Sequence, residues 1–191
     1  MVDTLATKDD LWALLSETAD TLSPDDADML LQIATGEVQA AAGQDLLRVE
    51  DDEIELMGDT GSWLSLPQRP VESVLSVEID GEAVTDFKRF GARLWRGCGW
   101  SPYIYEPATV AVTYTHGYPE GDKRLWLARK LTLSLAAHLH SNPTTATGLS
   151  IDDYREQYAQ GAEARGDLLP PLSQKLLRRR YGARAGIVRI G

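Results

Sequence analysis

The chain has 191 residues, 19 Lys+Arg against 29 Asp+Glu, 43% hydrophobic residues and one cysteine, the profile of a globular protein of one domain or two small ones. No run approaches the roughly 18 apolar residues of a membrane span, and residues 1–10 lack the basic and apolar regions of a secretion signal. Cys98 alone forms neither an internal disulfide nor a cysteine-based zinc site, so the fold must rest on its core.

The net charge of −10 is unevenly spread, with sixteen acids and two bases over residues 1–60 but six bases and no acid over residues 170–191. An acid-rich chain disfavours broad DNA binding, which needs an excess of Lys and Arg on the contacting face. An acidic front and a basic tail fit head-to-tail contact between copies, and solvated charged surface is the competing reading.

In chain order, Thr7-Lys8-Asp9-Asp10 before Leu11, Trp12, Leu14 and Leu15 predicts a capped helix over 8–19. Ser23-Pro24-Asp25-Asp26 predicts a second over 24–42: Ser23 caps, Pro24 suits a position needing no N–H, and the carboxylates suit the positive helix end. Ala27, Leu30, Leu31, Ala34, Val38 and Ala41 give it one apolar face, and Gly43 stops it. Gly36 either weakens this helix or admits another backbone.

From 46 to 116 the period becomes alternating. Asp51-Asp52 and Gly58-Asp59-Thr60-Gly61 punctuate short strands, Asp80-Gly81 marks a hairpin turn, and Arg93–Arg96 and Thr109–Thr115 add two more strands. The block reads as a small antiparallel sheet or sandwich inserted between helices. Its aromatics (Trp63, Phe87, Phe90, Trp95, Trp100, Tyr103, Tyr105 and Tyr114) read as packing in preference to a stacking platform, since local bases are few.

A long third helix is predicted over 122–141, apolar around most of its circumference, and Pro143 ends it. Residues 144–148 read as loop, 150–158 fit helix or strand, and 161–166 read as linker. Pro170-Pro171 opens a last helix to Tyr181, stopped by Gly182, and 183–191 form a basic tail carrying Ile187, Val188 and Ile190. The fold class expected is α+β, a mainly helical bundle of about four helices with the strand block between the second helix and the long third one. Its main domain spans 1–169, with 170–191 a separate C-terminal helix and tail.

No catalytic, cofactor or metal site is assembled. His138 and His140, two apart on a helix, point roughly 200 degrees from each other, unlike the i, i+4 pair of a zinc helix. Cys98, between Gly97 and Gly99, has no activating His or Lys in sequence reach and reads as a small buried filler or a tolerated loop residue. Asp51, Asp52 and Glu53 lack the spaced oxygen ligands of a calcium loop. Phosphate-binding loops, dinucleotide fingerprints and nucleophile elbows are missing, so the chain does not read as an enzyme. Arg178-Arg179-Arg180 is the strongest local electrostatic feature, and nucleic acid, an acidic protein surface and the helix dipole's negative end compete for it.

The order of these features resembles the head-to-tail connector, or adaptor, family of long-tailed double-stranded DNA bacteriophages, especially those of actinobacteria. The resemblance rests on Ala34 to Gln44 closing the early helix, on Leu66-Pro67-Gln68-Arg69-Pro70-Val71 with Val77 to Gly81, on Val112 to Pro119 leading into the long helix, and on Leu168 to Pro171 with Leu176 to Tyr181. Its specificity lies in the combination. The resemblance implies a structural protein of the virion neck, made in the bacterial cytoplasm. Such a protein assembles as a ring, typically of twelve copies, on the portal after packaging, extends the DNA channel and docks the next neck or tail protein. It contacts passing double-stranded DNA without sequence specificity and no membrane. Carried onto this chain, the portal contacts would be Arg178, Arg179, Arg180, Tyr181, Arg184, Ile187, Val188, Arg189 and Ile190. The stretch Leu149 to Tyr154 is often extended in relatives, and here Arg155-Glu156-Gln157 follow it. The rival readings are a head-completion stopper or tail terminator, and a small nucleic-acid-binding regulator using Arg178 to Arg184.

Overall fold

In the computed structural model, which describes residues 3–103, 105–141, 148–151, 154–157 and 168–182, the chain is α+β, with four helices and antiparallel sheets. The described residues fall into two compact units, a helical one from Met1–Gly43 with Gly121–Gly182 and a strand unit from Gln44–Glu120.

In the helical unit, α1 (Lys8–Leu15) begins with a capping box in which Thr7 and Asp10 satisfy each other's main-chain N–H groups. It ends four residues before the expected position, because Ser16 turns left-handed at φ 58 and sends its N–H back to the Trp12 carbonyl. Helix α2 (Pro24–Ala42) matches its predicted bounds, with Ser23 as N-cap, Pro24 at N1 and Gly43 as C-cap. Ala27, Leu31, Ala34, Val38 and Ala41 are buried, while Leu30 is half-buried. Gly36 is exposed with open space around it, so no other backbone approaches there among the described residues.

A 3-10 turn (Lys123–Leu125) leads into α3 (Trp126–Ser141), which packs against α1, α2 and α4 (Pro171–Arg180). Three helical neighbours explain its wide apolar surface. Trp126, the first residue of α3, is exposed. Asp10 also accepts from Arg129 of α3, so one carboxylate caps α1 and ties it to a helix 119 residues away. Burial pushes the Asp10 pKa up, but the hydrogen bonds from Thr7 and Arg129 outweigh it and hold the carboxyl below its ordinary range. Between α3 and α4 the backbone of Gly148–Ile151 pairs antiparallel with Tyr154–Gln157, which decides the helix-or-strand ambiguity there in favour of strand. The loop at Pro143, the linker at 161–166 and the tail at 183–191 lie outside the described residues.

The strand unit holds β1 (Val49–Gly58), β2 (Trp63–Ser65), β3 (Val71–Ile79), β4 (Glu82–Ala83), β5 (Phe87–Phe90), β6 (Arg93–Arg96) and β7 (Ala108–His116). They form two antiparallel sheets, one of four strands in the order β1-β7-β3-β4 and one of three in the order β2-β6-β5. Asp80 and Gly81, both at positive φ, make the β3–β4 turn expected of that dipeptide. One buried cluster joins the sheets: Leu64 and Leu94 from the smaller, Val77, Ile79, Val110, Val112 and Tyr114 from the larger, and Trp100 between strands. The block is therefore a two-layer sandwich whose inward residues alternate with outward ones.

Asp51-Asp52, expected to separate strands, instead forms a bulge inside β1, with Asp51 at φ 52. The bulge aims Asp52 at His116 of β7, whose ring Nε2 lies 3.1 Å from its carboxylate oxygen. His116 is 1% exposed, and its ring lies 5.1 Å from that of Tyr114, tilted by 36°; Tyr114 is fully buried. The Tyr114 hydroxyl faces the Gln68 main-chain amide without reaching hydrogen-bond geometry. Burial and the nearby Asp52 charge push its pKa up to about 12.

Because the folded value is raised, the phenol's contribution is intact below the ordinary Tyr pKa and is lost as pH climbs through about 12. The loss is about 2 to 3 kcal/mol from a shift of about two units. Tyr114→Phe is expected to differ little from the parent in urea midpoint near neutral pH, since the hydroxyl makes no hydrogen bond. Above about pH 11 the variant should be the more stable of the two. Parallel alkaline loss in both proteins would show that Tyr114 is not the group responsible.

Candidate functional site

The basic C-terminal segment begins where Pro170-Pro171 start α4, with Gln174 Nε2 donating to the Leu169 carbonyl at 3.0 Å. Leu177 is fully buried and Tyr181, 4% exposed, donates its hydroxyl to the Arg124 carbonyl at 2.6 Å. Residues 177 and 181 lie one helical turn apart on the inward face, which turns Lys175, Leu176, Arg178, Arg179 and Arg180 outward, all exposed. Gly182 closes the helix with its N–H on the Arg178 carbonyl.

Arg178, Arg179 and Arg180 occupy the last turn, where positive charge complements the helix dipole, and among the described residues they enter no ion pair. Arg180 lies 5.8 Å from the Tyr181 ring. The three guanidinium groups are therefore presented on an anchored helix. Tyr181, grouped with them in the sequence as a contact residue, is buried in the helical unit and holds the helix. Arg184, Ile187, Val188, Arg189 and Ile190 lie outside the described residues. Leu172, 69% exposed, and Leu176, 43% exposed, add an apolar stripe to the same outer face, which the i, i+4 spacing could have shown.

Arg124, beside the Tyr181 anchor, is itself engaged. Its guanidinium hydrogen-bonds both oxygens of Asp122, and that contact holds the Asp122 pKa at about 2.

A second feature of the helical unit is a groove of about 310 Å³ lined by Leu14, Trp126, Arg129, Lys130, Leu133 and Ser134. Cys98, read as buried filler or loop residue, is exposed, with its thiol 3.5 Å from an Asp86 carboxylate oxygen. His140 lies 3.3 Å from Glu17, and among the described residues no group of three His, Cys, Asp or Glu side chains is placed to hold a metal ion. Of the aromatics read as packing, Trp100 and Tyr114 are buried, but Trp63, Phe90, Tyr103 and Tyr105 are exposed.

Three sequence stretches far apart in the chain meet at one end of the sandwich. The Gln44 carboxamide brackets Arg69, donating to its carbonyl and accepting from its N–H, each at 3.1 Å. Asp45 N–H donates to Gln68 Oε1, and Gly117 N–H donates to the Pro70 carbonyl at 2.9 Å. Tyr118 N–H donates to the Leu46 carbonyl, beside a parallel bridge between Leu47 and Tyr118. Gly117, at φ +87, lets the chain pass there, because a Cβ would lie 2.1 Å from the Leu47 carbonyl oxygen. The Gln44, Leu66–Val71 and His116–Pro119 stretches are thus one structural junction.

No protein-family model matches the chain, and no curated protein does. Solved structures do share the fold. One is a chain in the neck of an empty gene transfer agent (GTA) particle computed with C6 symmetry, 18% identical with a TM-score of 0.57, the match covering 95% of this chain and 92% of that one. A chain in the neck of a native GTA particle computed with C12 symmetry is 16% identical with a TM-score of 0.50, covering 89% and 88%. A chain in the virion of the native GTA particle is 16% identical with a TM-score of 0.50, covering 85% and 80%.

Proposed function

We propose that this chain is a structural protein of a virion neck, a head-to-tail adaptor that assembles as a ring on the portal vertex and extends the DNA channel toward the next neck or tail protein. The observation that carries this reading is the likeness to a neck chain over 95% of this chain and 92% of the other, helices and sandwich included. A likeness to a chain in a neck of C12 symmetry supports a ring of twelve copies. The two units together serve as the adaptor body, and residues 170–191 as the portal-docking segment. Anchoring of α4 by Leu177 and Tyr181 supports that role, since it presents Arg178, Arg179 and Arg180 free of ion pairs among the described residues. A net charge of −10 suits a channel through which a polyanion must slide without sticking.

The test is light scattering and negative-stain imaging of the full chain with and without its cognate portal. Two variants accompany it: a truncation after Gly182, which leaves Leu177 and Tyr181 in place, and Arg178→Glu/Arg179→Glu/Arg180→Glu. The intact chain should form a ring on the portal, and the triple variant should bind at least tenfold more weakly. Binding to a tail or stopper component but not to portal would move the chain along the neck. Salt-dependent DNA binding lost with the arginines would favour a nucleic-acid-binding role instead.

A further inference from the structure

The two outer faces of the sandwich carry opposite chemistry. On the three-stranded sheet, register places Trp63, Trp95 and Lys88 on one rung and Ser65, Arg93 and Phe90 on the next. Leu64 and Leu94 between them point into the core, so these six share the outer face. Trp63 and Phe90, 47% and 54% exposed, meet edge-on at 5.5 Å, and the Arg93 guanidinium lies 4.8 Å over the Trp63 ring. Among the described residues neither Lys88 nor Arg93 enters an ion pair.

On the four-stranded sheet, Glu53, Glu55 and Met57 of β1 face outward opposite Thr113, Ala111 and Thr109 of β7, and Glu78 of β3 joins the Glu55–Ala111 rung. Val110, Val112 and Tyr114 point the other way into the core. Met57 is 76% exposed amid these acids. The six residues of the aromatic face thus include two cations and no acid, whereas the opposite face groups Glu53, Glu55 and Glu78 around Met57, with Arg48 paired to Glu50 and Glu72 on the flanking strands.

We propose that these faces are the two halves of one contact between copies of this chain: the aromatic, basic face of one sandwich seats on the acidic outer sheet of its neighbour. The proposal rests on the ring reading and deepens it by naming the surfaces that join subunits. Charge complementarity selects a second copy as the occupant, with Trp63, Phe90 and Arg93 as the residue types that dominate protein contacts. Nucleic acid is the poorer occupant, because the strand unit carries fourteen acids and six bases over residues 44–120 and repels a polyanion. Since the halves lie on opposite sides of one sandwich, the contact is heterologous and each copy leaves one half free for the next. Such a contact propagates in one direction and closes only as a ring.

The experiment uses the full chain in a Cys98→Ser background, concentrated toward its solubility limit and treated with a short bis-maleimide. Chains carrying both Phe90→Cys and Met57→Cys should give a ladder of dimers, trimers and higher species. Each single-cysteine chain alone should stay monomeric, and the two mixed should give dimers only. Lys88→Glu/Arg93→Glu in the ladder-forming chain should cut cross-linking at least tenfold, and adding Glu53→Lys/Glu55→Lys to the same chain should restore it. Homodimers from either single-cysteine chain, or no ladder from the double one, overturn the proposal. So does oligonucleotide binding that Lys88→Glu/Arg93→Glu abolishes. The ring reading is scored separately by imaging: a portal-bound ring without the ladder leaves that reading standing and removes this contact, whereas a ladder without a closed ring on the portal does the reverse.

Discussion

Replacing Gly117 with alanine is expected to destabilise the strand unit by about 4 kcal/mol or more. The residue sits at φ +87, where an L side chain is strained, and its Cβ would lie 2.1 Å from the Leu47 oxygen and 2.6 Å from the Leu47 carbonyl carbon. Those are backbone atoms, so no rotamer change relieves the clash. The chain must separate, and separation endangers the Gly117 N–H bond to Pro70, the Tyr118 N–H bond to Leu46 and the Leu47–Tyr118 bridge. Each is worth about 1 kcal/mol net, and more where the freed group stays buried. Gly121→Ala is the control, because Gly121 also has positive φ, +76, but open space around it. It should cost only about 1 kcal/mol. Urea unfolding followed by tryptophan fluorescence separates the two, and a Gly117→Ala midpoint equal to that of Gly121→Ala would refute the steric account.

That glycine also shows what sequence alone could and could not reveal. Helix α2 was legible to the residue, because Ser23, Pro24 and Gly43 are local signals acting on local hydrogen bonds. The Asp80-Gly81 turn was legible for the same reason. Asp51-Asp52 misled because acids in pairs usually mark turns, whereas here Asp52 answers to His116, 64 residues later. Alternation located the strands but could not say which side of each was inward. The outward set Trp63, Phe90 and Trp95 is as hydrophobic as the inward set, and only pairing with Leu64 and Leu94 in the core decides. At the C-terminus, composition exposed the arginine cluster, yet the contact that fixes Tyr181 reaches Arg124, 57 residues earlier, and has no local signature. Position in the motif made Tyr181 look like a neighbour of the arginines in function. Helical spacing makes it a neighbour of Leu177 in the core.

Leu177→Ala is expected to cost about 3 kcal/mol, most of it spent locally in releasing α4. The side chain is fully buried, and α4 rests on α2 and α3. A helix of 10 residues does not persist alone in water, so its order depends on that packing and on the Tyr181 hydroxyl bond. Trypsin reads the result directly, since Arg178, Arg179 and Arg180 are cleavable once the segment opens. Cleavage there should rise about a hundredfold, while near-ultraviolet aromatic signals of the sandwich stay unchanged. Leu172→Ala is the complementary variant, because Leu172 is 69% exposed on the outer face of the same helix. It should leave trypsin resistance within about twofold of the parent. If α4 is the docking helix, both variants weaken portal binding, Leu177→Ala by loosening the helix and Leu172→Ala by removing contact area from an intact one. Weakening by Leu177→Ala alone would make the helix a structural strut whose outer face meets no partner. Equal trypsin resistance in parent and Leu177→Ala would refute the anchoring itself.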